Sequence, residues 1–211
     1  MIVCFSVKGG SGTTVVSAAL GVMLAGRSDS GARIVDLAGD LPAAMGMGEP
    51  KGPGVSDWLM SQDDAGILED LLVPANNSLS LIPLGSKELD DLARYESLAK
   101  ALTNMSVPVV VDAGSGACRS PFVDYADVSY LVIRPCYLAL RHAAALKQPP
   151  TGIILIFEEG RALNKADVEA VVGAPVIAEI PYESAIARSV DAGLLAGRLP
   201  TTLGQRLAVA V

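Results

Sequence analysis

Short β-branched runs recur along the chain at 1–6, 32–36, 78–83, 107–111, 128–133, 152–157 and 176–180, each ending near a glycine, a proline or a carboxylate. Most are continuously apolar rather than alternating, as in VPVVVDAG at 107–114. Strands of that kind are covered by other elements on both faces. Between them, 14–26, 88–104, 137–147, 164–172 and 183–195 hold Ala, Leu, Glu and Lys in helical proportions. Strands alternating with helices predict βαβ units and a parallel sheet, and the right-handedness of such crossovers distributes the helices over both faces. The expected fold class is α/β: a doubly wound, mostly parallel, Rossmann-like sheet of about seven strands, built as one domain over 1–211.

The pattern breaks at 37–77, where Gly39, Gly46, Gly48, Gly52, Gly54 and several prolines interrupt it. A long loop with short helices near 56–60 and 67–72 is expected there. No repeat, low-complexity tract or linker divides the chain. The terminal stretch TTLGQRLAVAV reads as a short apolar helix with Arg206 its single basic residue. With so little polar face it is expected to pack on the domain rather than enter a membrane, and no apolar run reaches the ~20 residues that span a bilayer.

Composition adds limits. A hydrophobic content of 51% in 211 residues supports a substantial core and argues against disorder. Acids outnumber Lys and Arg 23 to 16, and the excess lies in 1–133, with 16 acids to 8 bases, whereas 134–211 carry 7 to 8. A net charge of -7 argues against a broad nucleic-acid footprint, which needs clustered cations, and leaves room only for a small basic patch in the last third. Cys4, Cys118 and Cys136 lack metal or redox spacing and read as buried or incidental thiols in a reducing compartment. The opening Met1-Ile2-Val3-Cys4-Phe5 lacks the features of a secretory signal, so a cytoplasmic protein is expected.

The candidate chemistry starts at VKGGSGTTVV, 7–16, between the first strand and a helix of small residues. Loops such as Lys8-Gly9-Gly10-Ser11-Gly12-Thr13-Thr14 curl backbone N–H groups round an anion at a helix N-terminus; a glycine-rich turn with a purely structural role has the same composition. A Walker A loop ends in Gly-Lys-Ser/Thr, the lysine neutralising phosphate and the hydroxyl holding magnesium, but here Gly12 is followed by Thr13 and Thr14. Thr14 keeps the magnesium hydroxyl, in a position where threonine is also an ordinary cap. Asp36 and Asp112 close apolar strands at the edge where parallel sheets bind ligands. Asp112 suits a magnesium carboxylate or, alternatively, a cap on the following turn. His142, beside Arg141, has no matching nucleophile or ligand cluster and reads as a solvated helix residue.

With these residues in order, the chain resembles the ParA/MinD class of P-loop ATPases, whose deviant Walker A loop carries a lysine ahead of paired glycines, as KGGSG does. ARIVDLAGDLPAAMGM at 32–47 is similar to the switch I region, VVVDAGSG at 109–116 to Walker B and switch II, and LVIRP at 131–135 and AEIPYE at 178–183 to later strand ends. VDLAGDLPAAMGM followed by GVSDWL looks most like the CpaE/TadZ branch and related septum-site proteins. The resemblance implies that Lys8 is the signature lysine reaching across an ATP-sandwich homodimer. It also implies that Asp36 is the first acid of switch I, that Thr14 and Asp112 hold Mg2+, and that Pro181 and Tyr182 flank adenine, where an Ile-Pro strand end is equally a structural stop. It departs from the class at Thr13, where the phosphate lysine is expected, and at Ala38, where the water-orienting acid is expected; Asp40, two residues beyond, is the candidate catalytic acid to substitute for it, beside Lys8 and Asp36.

The resemblance thus implies a weakly bound ATP or ADP with Mg2+, slow or lost hydrolysis, a homodimer, and protein partners of a polar or septal assembly (pilus, secretion or septum machinery). A scaffold that docks partners without turnover is the alternative. A partition ATPase for plasmid or chromosome, and a metabolic P-loop ligase or kinase, rank behind both, because positioning and charge neutralisation supply most phosphoryl-transfer catalysis and no convergent polar substrate site stands out.

Overall fold

The computed structural model describes residues 1–60, 65–86, 93–115 and 119–211. Seven parallel strands occupy the predicted runs: β1 (Ile2–Phe5), β2 (Ala32–Asp36), β4 (Leu79–Ile82), β5 (Val109–Asp112), β6 (Val128–Ile133), β7 (Gly152–Phe157) and β8 (Val176–Pro181). An eighth, β3 (Val73–Pro74), pairs antiparallel with β4 at one edge. Two residues carry no period, and Pro74 is tolerated there because an edge strand spares it one ladder bond. The order β3-β4-β2-β5-β1-β6-β7-β8 puts β1 at the centre, with the chain turning to opposite sides of it.

Helix α1 (Thr13–Ala25) follows β1, and α2 (Leu41–Met45) and α3 (Val55–Met60) lie in the irregular stretch. The short helix expected near 67–72 is a 3-10 helix, Ala65–Leu71. α4 (Ala93–Thr103) is the described part of the segment expected at 88–104, and α5 (Arg119–Tyr125) precedes β6. α6 (Tyr137–Ala143) stops four residues short of the expected 147, with a turn at Ala144 and Ala145 ahead of Pro149-Pro150. α7 (Lys165–Val172), α8 (Ser184–Asp191) and α9 (Thr201–Leu207) complete the set. Neither α2 nor α5 is visible as a period: each has seven residues or fewer, with a proline inside it.

Successive strand residues feed opposite layers, as the pleat requires. Val3, Val111, Leu131 and Leu155 join one core with Trp58, Leu98, Phe122 and Val168. Cys4, Val110, Val132 and Ile154 join the other with Val16, Leu20, Leu41 and Leu203. The small residues of α1 allow close approach: a Cβ added at Gly21 would lie 3.2 Å from Ile34 Cδ1. The terminal segment packs on this second layer, with Leu203, Leu207 and Ala210 buried. The Tyr130 hydroxyl donates to the Ala210 carbonyl at 3.1 Å and Arg27 Nη1 to the Val211 carbonyl at 3.0 Å. Among the described residues no helix is long and apolar enough to cross a membrane. Cys4 is buried, its thiol pushed up to about 12 chiefly by desolvation; Cys136 is half-buried, and Cys118 lies outside the described residues.

Candidate functional site

The loop between β1 and α1 is built to leave backbone N–H groups free. Gly12 caps α1 in the left-handed region at φ 89° and offers no side chain to the first turn. A helix start leaves its first amides without intrahelical partners, and here no side chain takes them. The loop is braced from within and from behind. Ser11 Oγ donates to the Lys8 carbonyl at 2.7 Å, and Ser17 Oγ to the Thr13 carbonyl at 2.9 Å. His142 Nδ1 lies 3.1 Å from the Val7 carbonyl oxygen. His142 is therefore exposed, as its sequence context implies, but it also ties α6 to the root of the loop. No local pattern shows this, because 135 positions separate the two residues.

A polar cleft of about 470 Å³ opens over this loop. Gly9 to Thr14 form one wall, Leu37, Ala38 and Asp40 a second, and Ala113 to Ser115 a third. Asp40 starts α2, and its side chain makes no capping hydrogen bond. Ala38 stands against β5's end: a Cβ on Gly114 would come 3.0 Å from its own Cβ. Lys8 is exposed, its ammonium donating among the described residues only to the neighbouring Gly9 carbonyl at 3.4 Å.

Asp36 and Asp112 are register partners on β2 and β5, and both are fully buried. They differ in occupation. Asp36 accepts from the N–H groups of Ala38 (2.9 Å), Gly39 (2.6 Å) and Leu41 (3.1 Å), so its carboxylate folds the loop rather than facing a ligand. Desolvation raises its pKa against those bonds. Asp112 Oδ1 accepts from Gly114 N–H at 3.2 Å, while among the described residues Oδ2 has no hydrogen-bond partner. Its pKa is pushed up to about 6, first by burial, with the Thr14 hydroxyl nearby working against the rise and the Asp36 charge adding to it. An orphaned buried carboxylate oxygen beside a hydroxyl fits a hard divalent cation with oxygen ligands. Among the described residues no group of three or more His, Cys, Asp or Glu side chains gathers.

The other flank of the loop opens into an apolar pocket of about 220 Å³. Val15, Val16, Ile156, Ile180, Ile186 and Val190 supply most of its surface, and Pro181 and Tyr182 stand at its wall, where the resemblance puts a base. The structure also brings in Arg134, from the end of β6, and the apolar side of α8. Sequence reasoning missed these because the pocket is assembled from segments more than a hundred positions apart; the only local signal is the arginine in LVIRP.

No protein-family model matches the chain, and no curated protein matches it. Solved structures match over nearly its whole length. A ParA family ATPase from Chlorobium tepidum superposes with a TM-score of 0.79 at 21% identity, covering 98% of this chain and 96% of that one. A chain of the MinC:MinD cell division protein complex of Aquifex aeolicus gives 0.75 at 20%, covering 98% and 94%. The ATP complex of a McdA variant from Cyanothece gives 0.73 at 17%, covering 99% and 95%. The chain thus has the α/β fold of ParA- and MinD-type ATPases.

Proposed function

We propose that this chain is a nucleotide-binding positioning protein of the ParA/MinD type, with CpaE/TadZ its nearest branch. It takes a magnesium-bound nucleoside di- or triphosphate, ATP or ADP by the resemblance. It acts as a homodimer that organises a pilus, secretion or septum assembly through protein partners. One observation carries the nucleotide reading: Gly10, Ser11, Gly12 and Val15 line both the polar cleft and the apolar pocket. A ligand with an anionic end and a flat apolar end is the kind that two such compartments on one loop accept. Bound magnesium would neutralise phosphate charge; Thr14 and Asp112 would hold it, the loop amides would hold the phosphates, and Lys8 is free to meet an anion on a partner.

Thr13 brings a hydroxyl where a cation would neutralise phosphate, and Ala38 has no proton acceptor to orient water. Binding is therefore weak and turnover slow. The same two residues favour the second reading, a scaffold that docks partners without nucleotide. Hydrogen exchange with and without millimolar magnesium nucleotide, run beside a phosphate-release assay, separates them. The expected result is protection of amides 9–16 with release near background. Protection with release at an ordinary ATPase rate would refute the slow-turnover reading, and no protection would leave the scaffold.

A further inference from the structure

The apolar pocket has hydrocarbon on most sides, so the polar groups on its lining decide which ring it accepts. They are Arg134, Tyr182, Glu183 and Asp191, together with the glycine loop. Arg134 is the most firmly placed. β6 runs in register beside β1, Leu131 opposite Phe5, so Arg134 emerges next to the loop. Its guanidinium carbon lies 4.4 Å from the centre of the Tyr182 ring. It is paired with Glu158, which Arg161 Nε also reaches, at 2.5 Å. Contacts from the ends of β7 and β8 thus hold one half-buried guanidinium at the pocket's rim.

The charged groups on this lining are one-sided, whereas the Tyr182 and Ser11 hydroxyls can both donate and accept. A guanidinium only donates and a carboxylate only accepts, each through two parallel atoms. Guanine has edges of the same kind: O6 and N7 accept side by side, and N1–H and N2–H donate side by side. Adenine's edges alternate, N6–H beside N1 or N7, and are matched by side-chain amides. Among the described residues neither Asn nor Gln lines this pocket. We infer that Arg134, clamped by Glu158 and stacked on Tyr182, is the specificity-determining residue of the pocket and selects a 6-oxopurine, guanine among the common bases, over adenine. The inference rests on the nucleotide reading above and departs from it only in the base.

The test is competition between unlabelled magnesium GDP, IDP and ADP and a GDP carrying a fluorophore on the ribose, with the wild type and Arg134→Met. Methionine preserves apolar contact with Tyr182 and removes the donors. Hypoxanthine keeps O6 and N7 but lacks the 2-amino group, so IDP isolates the arginine's share. Wild type is expected to hold GDP and IDP at least about fivefold more tightly than ADP, the low end of what one bidentate pair discriminates. In Arg134→Met the three are expected to converge within about twofold. ADP binding as tightly as GDP in the wild type, a measurement that needs no variant, overturns the base assignment and leaves nucleotide binding standing. A GDP preference that survives Arg134→Met overturns the role of Arg134. Failure of every nucleotide, probe included, to bind the folded protein overturns the nucleotide reading itself and this inference with it.

Discussion

Burial with one oxygen unpartnered makes Asp112 a carboxylate that the fold holds more easily protonated than charged. Its folded pKa of about 6 lies above the ordinary 3.8, so between those values the native state binds the proton that the unfolded chain has released. The resulting stabilisation is complete below about pH 3.8 and lost as pH rises through about 6. Asp36 shifts in the same direction. Asp112→Asn is therefore expected to raise stability at pH 7.5 by roughly 2–3 kcal/mol, the size of a two-unit shift, with a gain that shrinks toward pH 4. Urea unfolding of both proteins at several pH values measures it, and an Asn variant less stable at pH 7.5 would count against the desolvated carboxylate. Thr13 is the complementary case, since it lines the cleft and carries no charge. Thr13→Lys is expected to tighten binding of a magnesium nucleotide by on the order of 1–3 kcal/mol, the scale of a charge-assisted hydrogen bond. Equal dissociation constants for the two proteins would show that the cleft does not receive phosphate.

Elements around the site meet at a backbone contact. Gly46, the C-cap of α2 at φ 72°, lies against Gly193 beyond α8, so that a Cβ on Gly46 would come 1.8 Å from the Gly193 carbonyl oxygen. Backbone cannot swing aside as a side chain does. Gly46→Ala is expected to cost about 2–4 kcal/mol. Gly48→Ala, two residues on, has open space around its Cβ and is expected to stay within about 0.5 kcal/mol. Thermal unfolding of the pair decides it, and equal melting temperatures would contradict the contact. In the sequence the two glycines look alike, which marks the limit of what was legible there. The seven parallel strands could be read because each is a short β-branched run, most of them buried on both faces and only the edge strand β8 alternating, and the loop, Asp36 and Asp112 because they sit at strand ends. The apolar pocket and the His142 tie were hidden because each depends on which distant segments the crossovers bring together, and the occupied state of Asp36 because it depends on how the loop from Ala38 to Leu41 curls back over its own strand end.

At the scale of the whole molecule, the resemblance calls for a two-fold pair across the edge of the sheet that carries the glycine loop. Lys8 is exposed there and among the described residues engages only its own loop, and two-fold pairing is the commonest oligomer geometry. With each protomer at a net charge of -7, contact between these edges needs a cation opposite an anion, and salt should screen it. Sedimentation of wild type and Lys8→Ala, each with and without magnesium nucleotide, is expected to show a nucleotide-promoted dimer in the first and weaker association in the second and at high salt. A dimer indifferent to Lys8 and nucleotide would remove the lysine from the account. The functional reading depends on the loop holding a phosphorylated ligand, and calorimetry tests that most directly: ATP, ADP and GTP titrated at millimolar concentration into the wild type, with and without Mg2+. The account predicts a saturable, weak heat that requires Mg2+ for full strength; no heat from any of the three under either condition would contradict it.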